Sequence, residues 1–166
     1  MNEYRIITVT PDRLEEILSI YAAAREFMRQ TGNPNQWKNF RPQKETLEED
    51  IRLGRLRAVE KDGELFASFV LMDEDPIYNE LIEGEWLNSK PYHTLHRVAS
   101  SGKAHGMMAL IVEYAKSFGR DVRIDTHDDN RVMQHLLEKY GFVRCGRIPI
   151  YGNEERVTFH YAVPEK

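Results

Sequence analysis

The chain lacks a second cysteine. Cys145 is the only thiol among 166 residues, which excludes an intrachain disulfide framework and a zinc site built on several thiolates. A basic excess is also missing: 23 Lys and Arg stand against 27 Asp and Glu, a net charge of −4. That speaks against a generic nucleic-acid binder, which neutralises phosphates with Lys and Arg. No apolar run approaches the roughly 18 residues of a membrane span, and the opening residues MNEYRIITVT hold no apolar h-region. A cytoplasmic chain with no membrane and no nucleic-acid partner is expected. No repeat or linker divides it, so residues 1–166 are expected to form one domain. What remains is an ordinary globular composition, 41% hydrophobic and 30% charged.

Periodicity places the elements. Tyr4 to Val9 reads as a strand, and Pro11 and Asp12 open a helix. Its apolar stripe runs through Leu14, Ile17, Leu18, Tyr21, Ala24 or Arg25, Phe27 and Met28 until Gly32, Asn33 and Pro34. Thr46 with Glu49 has the spacing of a capping box, and Leu47, Ile51 and Leu53 support a short second helix. Leu56 to Glu60 and Leu65 to Met72 read as a hairpin turning at Asp62-Gly63. Residues 73–91 read as a connection. A strand at Tyr92 to Ala99 leads into a helix of about fifteen residues ending near Gly119. Val122 to Asp125, a helix over Asn130 to Tyr140, and strands over Phe142 to Ile148 and Arg156 to Val163 complete a mixed α/β order.

Two segments carry chemical information. From Leu95 to Met108 the chain reads LHRVASSGKAHGMM. A strand, a small-residue turn and a helix start bring free backbone N–H groups, the positive helix end and Lys103 to one spot, which suits a phosphate or pyrophosphate. The GxxxxGK[ST] spacing of a Walker loop is absent. From Asp125 to Phe142, the run Asp128, Asp129, Asn130 supplies helix-capping side chains, and Gly141 suits a left-handed helix end.

Together these segments resemble the GCN5-related N-acetyltransferase (GNAT) superfamily. That family binds the pyrophosphate of acetyl-coenzyme A at a (Q/R)-x-x-G-x-(G/A) turn, and an N-x-x-A-x-x-L-Y-x-K-x-G-F helix packs beside the pantetheine arm. Asn130, Leu136, Lys139, Gly141 and Phe142 match the second pattern, with Met133 in the alanine slot and Leu137 in the tyrosine slot. For the first, Gly102 and Ala104 fill the small-residue slots behind Ala99, in a register that puts Met107, Met108, Ile111, Val112 and Ala115 on one buried face. A second register starts at Ser101 and ends at Gly106. The resemblance implies a central, mostly antiparallel twisted sheet of about seven strands flanked by about four helices. It implies acetyl-coenzyme A as co-substrate, no metal, and a cradle drawn from Val98, Ser100, Ser101, Gly102, Lys103, Ala104, His105, Gly106, Met107 and Asn130. The implied activity is transfer of an acetyl group to a primary amine of a small molecule or peptide by direct attack. Acceptor identity, acyl length and the choice between monomer and homodimer stay open. The absent tyrosine leaves a rival: a non-catalytic acyl-coenzyme A binding module of the same fold.

Direct attack needs a neutral amine, a donor for the oxyanion and an acceptable leaving group. The resemblance puts a backbone N–H near Val98 at the thioester carbonyl. Candidate bases are His96, His93 and Glu85; by strand alternation His96 and Val98 share one face, and His93, Leu95 and Arg97 the other. Tyr140 and Tyr151 are candidate acids. Trp37, Phe40, Tyr78 and Trp86 are candidate pocket walls. Six carboxylates between Asp73 and Glu85, with no basic residue among them, suggest a field that favours a cationic amine. His127 among Asp125 and Asp128 reads as a helix-capping loop rather than a metal site. A cysteine hydrolase built on Cys145 and His127 is disfavoured because Cys145 falls inside a strand.

Overall fold

The structure, a computed structural model, describes residues 3–150 and 153–165. Tyr151, one of the candidate acids, lies outside them. Eight strands form one sheet: β1 (Arg5–Thr8), β2 (Leu56–Lys61), β3 (Glu64–Met72), β4 (Glu83–Gly84), β5 (Tyr92–Ser100), β6 (Asp121–Thr126), β7 (Val143–Ile150) and β8 (Glu154–Tyr161). Their spatial order is β1-β2-β3-β5-β6-β8-β7-β4. Every pairing is antiparallel except β5 with β6. The eighth strand, beyond the seven expected, is β4, whose two residues are too few for alternation to reveal. Asp62 and Gly63 form the β2–β3 turn with φ of 53° and 80°, the left-handed pair that a two-residue hairpin requires.

Among the described residues, four α-helices cover the two faces: α1 (Leu14–Gln30), α2 (Lys44–Arg52), α3 (Met107–Lys116) and α4 (Arg131–Lys139). Helix α1 buries Ile17, Ile20, Tyr21 and Ala24, and α2 buries Leu47 and Ile51. Both pack with Leu56, Ala58, Val70 and Ala99 on one face of the sheet. On the other face, Met107, Met108, Ile111, Val112 and Ala115 of α3 meet Phe69, Leu95, Ile124, Phe159 and Leu137 of α4. The buried stripe of α3 is the one its spacing predicts. Phe27 and Leu53, expected inside, are exposed; Leu53 follows the last residue of α2. Thr46 does not cap α2, which begins two residues earlier after Gln43.

Helix α3 is ten residues long rather than fifteen. Gly102 and Gly106 both adopt left-handed φ, 81° and 80°, which a right-handed helix cannot contain. The Ser100 and Ser101 hydroxyls accept the Gly102 and Lys103 amides at 3.2 Å each. That local bonding competes with helix formation. At the end of α4, Gly141 has φ 89°. Its amide donates to the Glu138 carbonyl at 3.1 Å and that of Phe142 to Leu137 at 2.9 Å, the paired bonds of a Schellman ending. No described helix is long and apolar enough to cross a membrane.

Candidate active site

The parallel ladder between β5 and β6 runs from Tyr92↔Asp121 to Leu95↔Ile124 and stops there. Beyond it, β6 stays with β8 to Thr126, while β5 stays with β3 to Ser100. The two strands part, and a cavity of about 350 Å³ occupies the split, within the usual size of small-ligand sites. His96, Arg97 and Val98 of β5, Ile124, Asp125 and Thr126 of β6, and Asn130 and Met133 of α4 line it. Met28 and Trp37 close it from the α1 side.

A β-bulge shapes the β5 wall. Ser68 pairs Ala99 and Val70 pairs His96, so Arg97 and Val98 both lie opposite Phe69. Arg97 adopts φ 50°, a costly conformation for a non-glycine residue. Tertiary bonds hold it. The Arg97 guanidinium donates to both carboxylate oxygens of buried Asp50 at 2.8 Å, and its carbonyl accepts from the Tyr21 hydroxyl at 2.6 Å. Arg55 adds a third bond to Asp50 at 2.8 Å. The bulge also changes which face each residue uses: Leu95 and Val98 pack with the α3 side and Ala99 with the α1 side. Simple alternation, which put His96 and Val98 on one face, fails for this reason. Both still reach the cavity, because the split opens on the two faces together.

His96 sits between two carboxylates. Its Nε2 lies 2.7 Å from Asp75 Oδ2 and its Nδ1 3.7 Å from Asp125 Oδ2. The short contact makes Nε2 the protonated nitrogen and leaves Nδ1 as the acceptor. The hydrogen bond with His96 holds the Asp75 carboxyl below the usual carboxylate range, against the opposing effect of burial. Asp125 is anchored by the Tyr78 hydroxyl at 2.7 Å. Burial first, then the charge of Asp125, push the Tyr78 phenol far above its ordinary value, so it remains a donor. Asp75 and Asp125 were visible in the sequence as acidic residues, but their convergence on one imidazole was not. Gln36 was also missed. Its Oε1 accepts from Asn33 at 2.9 Å, Thr126 at 3.2 Å and Asn130 at 2.9 Å. It thereby ties the loop carrying Trp37 to the N-cap of α4, where Asn130 Oδ1 accepts the Met133 amide at 3.0 Å.

Other expected residues lie elsewhere. Glu85 is exposed and lines a separate hollow with Glu74, Trp86 and Arg123. Trp86 and Tyr78 pack against each other with tilted rings, centroids 5.2 Å apart, and neither lines the split. His93 packs edge-on against Phe118 at 5.3 Å, and burial lowers its pKa. Of the six carboxylates from Asp73 to Glu85, only Asp75 borders the cavity; Glu83 pairs with Arg147 at 3.1 Å. Leu137 is fully buried, and Tyr140 packs against the core beside Lys116, outside the cavity lining. The Cys145 thiol is half-buried in β7, with its pKa raised by burial. Among the described residues no three His, Cys, Asp or Glu side chains converge as a metal site.

Open backbone amides lie at the helix start beyond the end of β5. Gly106 caps α3 without any side-chain bond, so the first-turn amides of Met107, Met108 and Ala109 have no intrahelical acceptor. Gly102 and Lys103 have turned their amides toward serine hydroxyls, which moves the open amides to the Gly106 end. The helix starts directly after Gly106. Lys103 lies 3.3 Å from Glu64 at the surface. The exposed turn, the uncapped helix end and the split strands line up along β5 and fit an extended molecule with an anionic end and a reactive end.

The overall fold is shared with solved acetyltransferases. A GNAT-family acetyltransferase from Streptococcus agalactiae superposes with a TM-score of 0.84 at 29% identity, covering 98% of this chain and 96% of that one. Another from Listeria monocytogenes gives 0.73 at 17%, covering 97% and 95%. The PaiA N-acetyltransferase of Thermoplasma acidophilum, solved in complex with coenzyme A, gives 0.62 at 14%, covering 96% and 99%. These last two speak for the fold alone. No family model and no curated protein matches the chain. The chain therefore shares the fold of GNAT-family acetyltransferases, and this likeness supports acyl transfer as its general chemistry.

Proposed function

We propose that the protein is an N-acetyltransferase that moves an acetyl group from acetyl-coenzyme A to a primary amine. The observation that carries this is His96, flanked by Asp75 and Asp125 in the split beside the Val98 bulge. Acetyl-coenzyme A supplies an activated acyl group whose thiolate is a good leaving group. Its anionic end fits the Gly106 turn and the α3 N-terminus, and Asn130 and Met133 border its reactive end. His96 Nδ1 takes a proton from the incoming ammonium, directly or through water, and the imidazolium so formed is stabilised by both carboxylates. The β5–β6 ladder ends at Leu95, and in this reading the backbone N–H near Val98 donates to the carbonyl oxygen as negative charge develops there. Ile124, Met133 and Trp37 limit water in the split.

Thiol release from acetyl-coenzyme A, measured with a panel of amines, tests this. Amine-dependent release that falls at least a hundredfold in His96→Gln is expected. Buried Leu137 in the tyrosine slot favours the second reading, a non-catalytic acyl-coenzyme A binding module. Tight calorimetric binding of acetyl-coenzyme A with no release for any amine would establish that module instead.

A further inference from the structure

A second hollow, of about 420 Å³, adjoins the first and shares Met28 and Trp37 with it. Its lining includes Arg25, Asn33, Asn39 and Phe40. Trp37 divides the two spaces and tilts against the Tyr21 ring at 5.5 Å. Tyr21 reaches the bulge carbonyl of Arg97 at 2.6 Å. Arg25 lies one helical turn past Tyr21 on the same face of α1, a rise of about 6 Å. A molecule with one end at His96 would pass Met28 and Trp37 and meet Arg25 next.

The Arg25 guanidinium has no carboxylate partner among the described residues. Its one described bond is a long one, 3.4 Å to the Arg41 carbonyl, and burial lowers its pKa with no acidic group acting in opposition. The nearest acid in the lining, Glu26, is taken by Arg29 and Gln30. A partly desolvated, uncompensated guanidinium in a hollow is costly unless an anion joins it. The rim is strained as well: Asn39 and Phe40 adopt φ of 61° and 58°, and Phe40 is held 80% exposed at the mouth.

We propose that Arg25 receives a carboxylate of the acceptor, so the preferred substrates carry an amine and a carboxylate on one molecule. The amine goes to the negative end at Asp75 and Asp125, and the carboxylate to the positive end at Arg25. A less polar body lies over Met28 and Trp37. One guanidinium matches one carboxylate bidentately. A phosphate would call for a second free cation, and Arg29, the other cation of this lining, is tied to Glu26. This rests on the N-acetyltransferase reading above.

The experiment compares thiol release with free amino acids, ω-amino acids and a dipeptide against the amide form of each, in wild type, Arg25→Gln and Arg25→Lys. Wild type is expected to prefer the carboxylate forms. Arg25→Gln should raise their KM relative to the amide forms by about tenfold or more, the loss of one charged hydrogen-bonded pair, with Arg25→Lys intermediate. The KM for acetyl-coenzyme A and the melting temperature control for misfolding. The series separates a free amino acid from a peptide terminus as the carboxylate's source. An unchanged KM ratio in Arg25→Gln, or no preference in wild type, overturns the proposal. Should no amine be turned over, the catalytic reading fails separately, and calorimetry of the same pairs on the coenzyme A-loaded protein decides. Carboxylate-dependent binding lost in Arg25→Gln sustains the Arg25 site, and its absence overturns it.

Discussion

A histidine with a carboxylate on either side is suited to taking a proton from a cation. The Asp75 contact at 2.7 Å fixes the ring and its tautomer, and the same hydrogen bond keeps the Asp75 carboxyl below its usual range. Asp75→Asn removes that charge. It should lower kcat by roughly tenfold, and His96→Gln should lower it further. Steady-state kinetics of both variants check this, and an unchanged kcat in Asp75→Asn would contradict the pairing. At this scale the sequence was informative about His96, a histidine on the strand leading into the glycine turn. It was silent about Asp75 and Asp125, 21 residues before it and 29 after, because carboxylates are abundant and only folding selects which two converge.

Elements hold the strained parts of the site in place. The left-handed Arg97 persists because α2 presents buried Asp50 to it and to Arg55. Asp50→Ala leaves two guanidinium groups facing an emptied site. It should cost on the order of 3 kcal/mol in chemical denaturation and lower kcat through the loosened bulge. A second prediction concerns α4. Leu137 points into the core with Phe142 and Val157, so Leu137→Tyr should not create a general acid. It should instead destabilise by about 1–3 kcal/mol through overpacking, with kcat no higher than wild type. A rise in kcat would mean the side chain can leave the core for the cavity. Periodicity located all four helices, and five spaced apolar residues marked the buried face of α3. The helix start escaped, since that face is the same whether the helix begins at Lys103 or at Met107, and only the two left-handed glycines decide.

Across the molecule, burial keeps several imidazoles neutral. His160 is fully buried, donates from Nε2 to Asp121 at 2.8 Å and accepts the Leu87 amide on Nδ1 at 3.2 Å. Desolvation lowers its pKa, and also those of His93 and His127. A folded value below the unfolded value of about 6.5 means the unfolded chain binds protons the folded one refuses. Stability should be full above pH about 6.5 and fall as the pH drops through it, by at most about 1.4 kcal/mol per pH unit per histidine. Melting temperatures at pH 7.5, 6.5 and 5.5 should decline, less steeply in His160→Gln; a flat profile would contradict a neutral His160. Charge is also divided along the chain. Residues 1–91 carry 18 acidic and 12 basic side chains, against 9 and 11 in 92–166. The mildly basic second half holds the glycine turn and the capping Asn130. The acidic excess of the first half turns mostly to solvent and other hollows, with Asp75 alone of the 73–85 group at the cavity.

Linear order sufficed for what depends on neighbours in the chain. Alternation and helical spacing, the Asp62-Gly63 turn, the Asn130 cap and the Gly141 ending are local events, each decided within a few residues. Tertiary structure decided what depends on distant partners. The β5–β6 ladder ends where β3 and β8 draw the two strands apart, and the bulge reverses the expected faces because Asp50 and Tyr21 hold Arg97 left-handed. The carboxylates on His96, and the Arg25 guanidinium that meets no carboxylate among the described residues, likewise arise from segments far apart in sequence. Electrostatic complementarity acts through space, and no pattern along the chain encodes which charges will meet and which will be left without a partner.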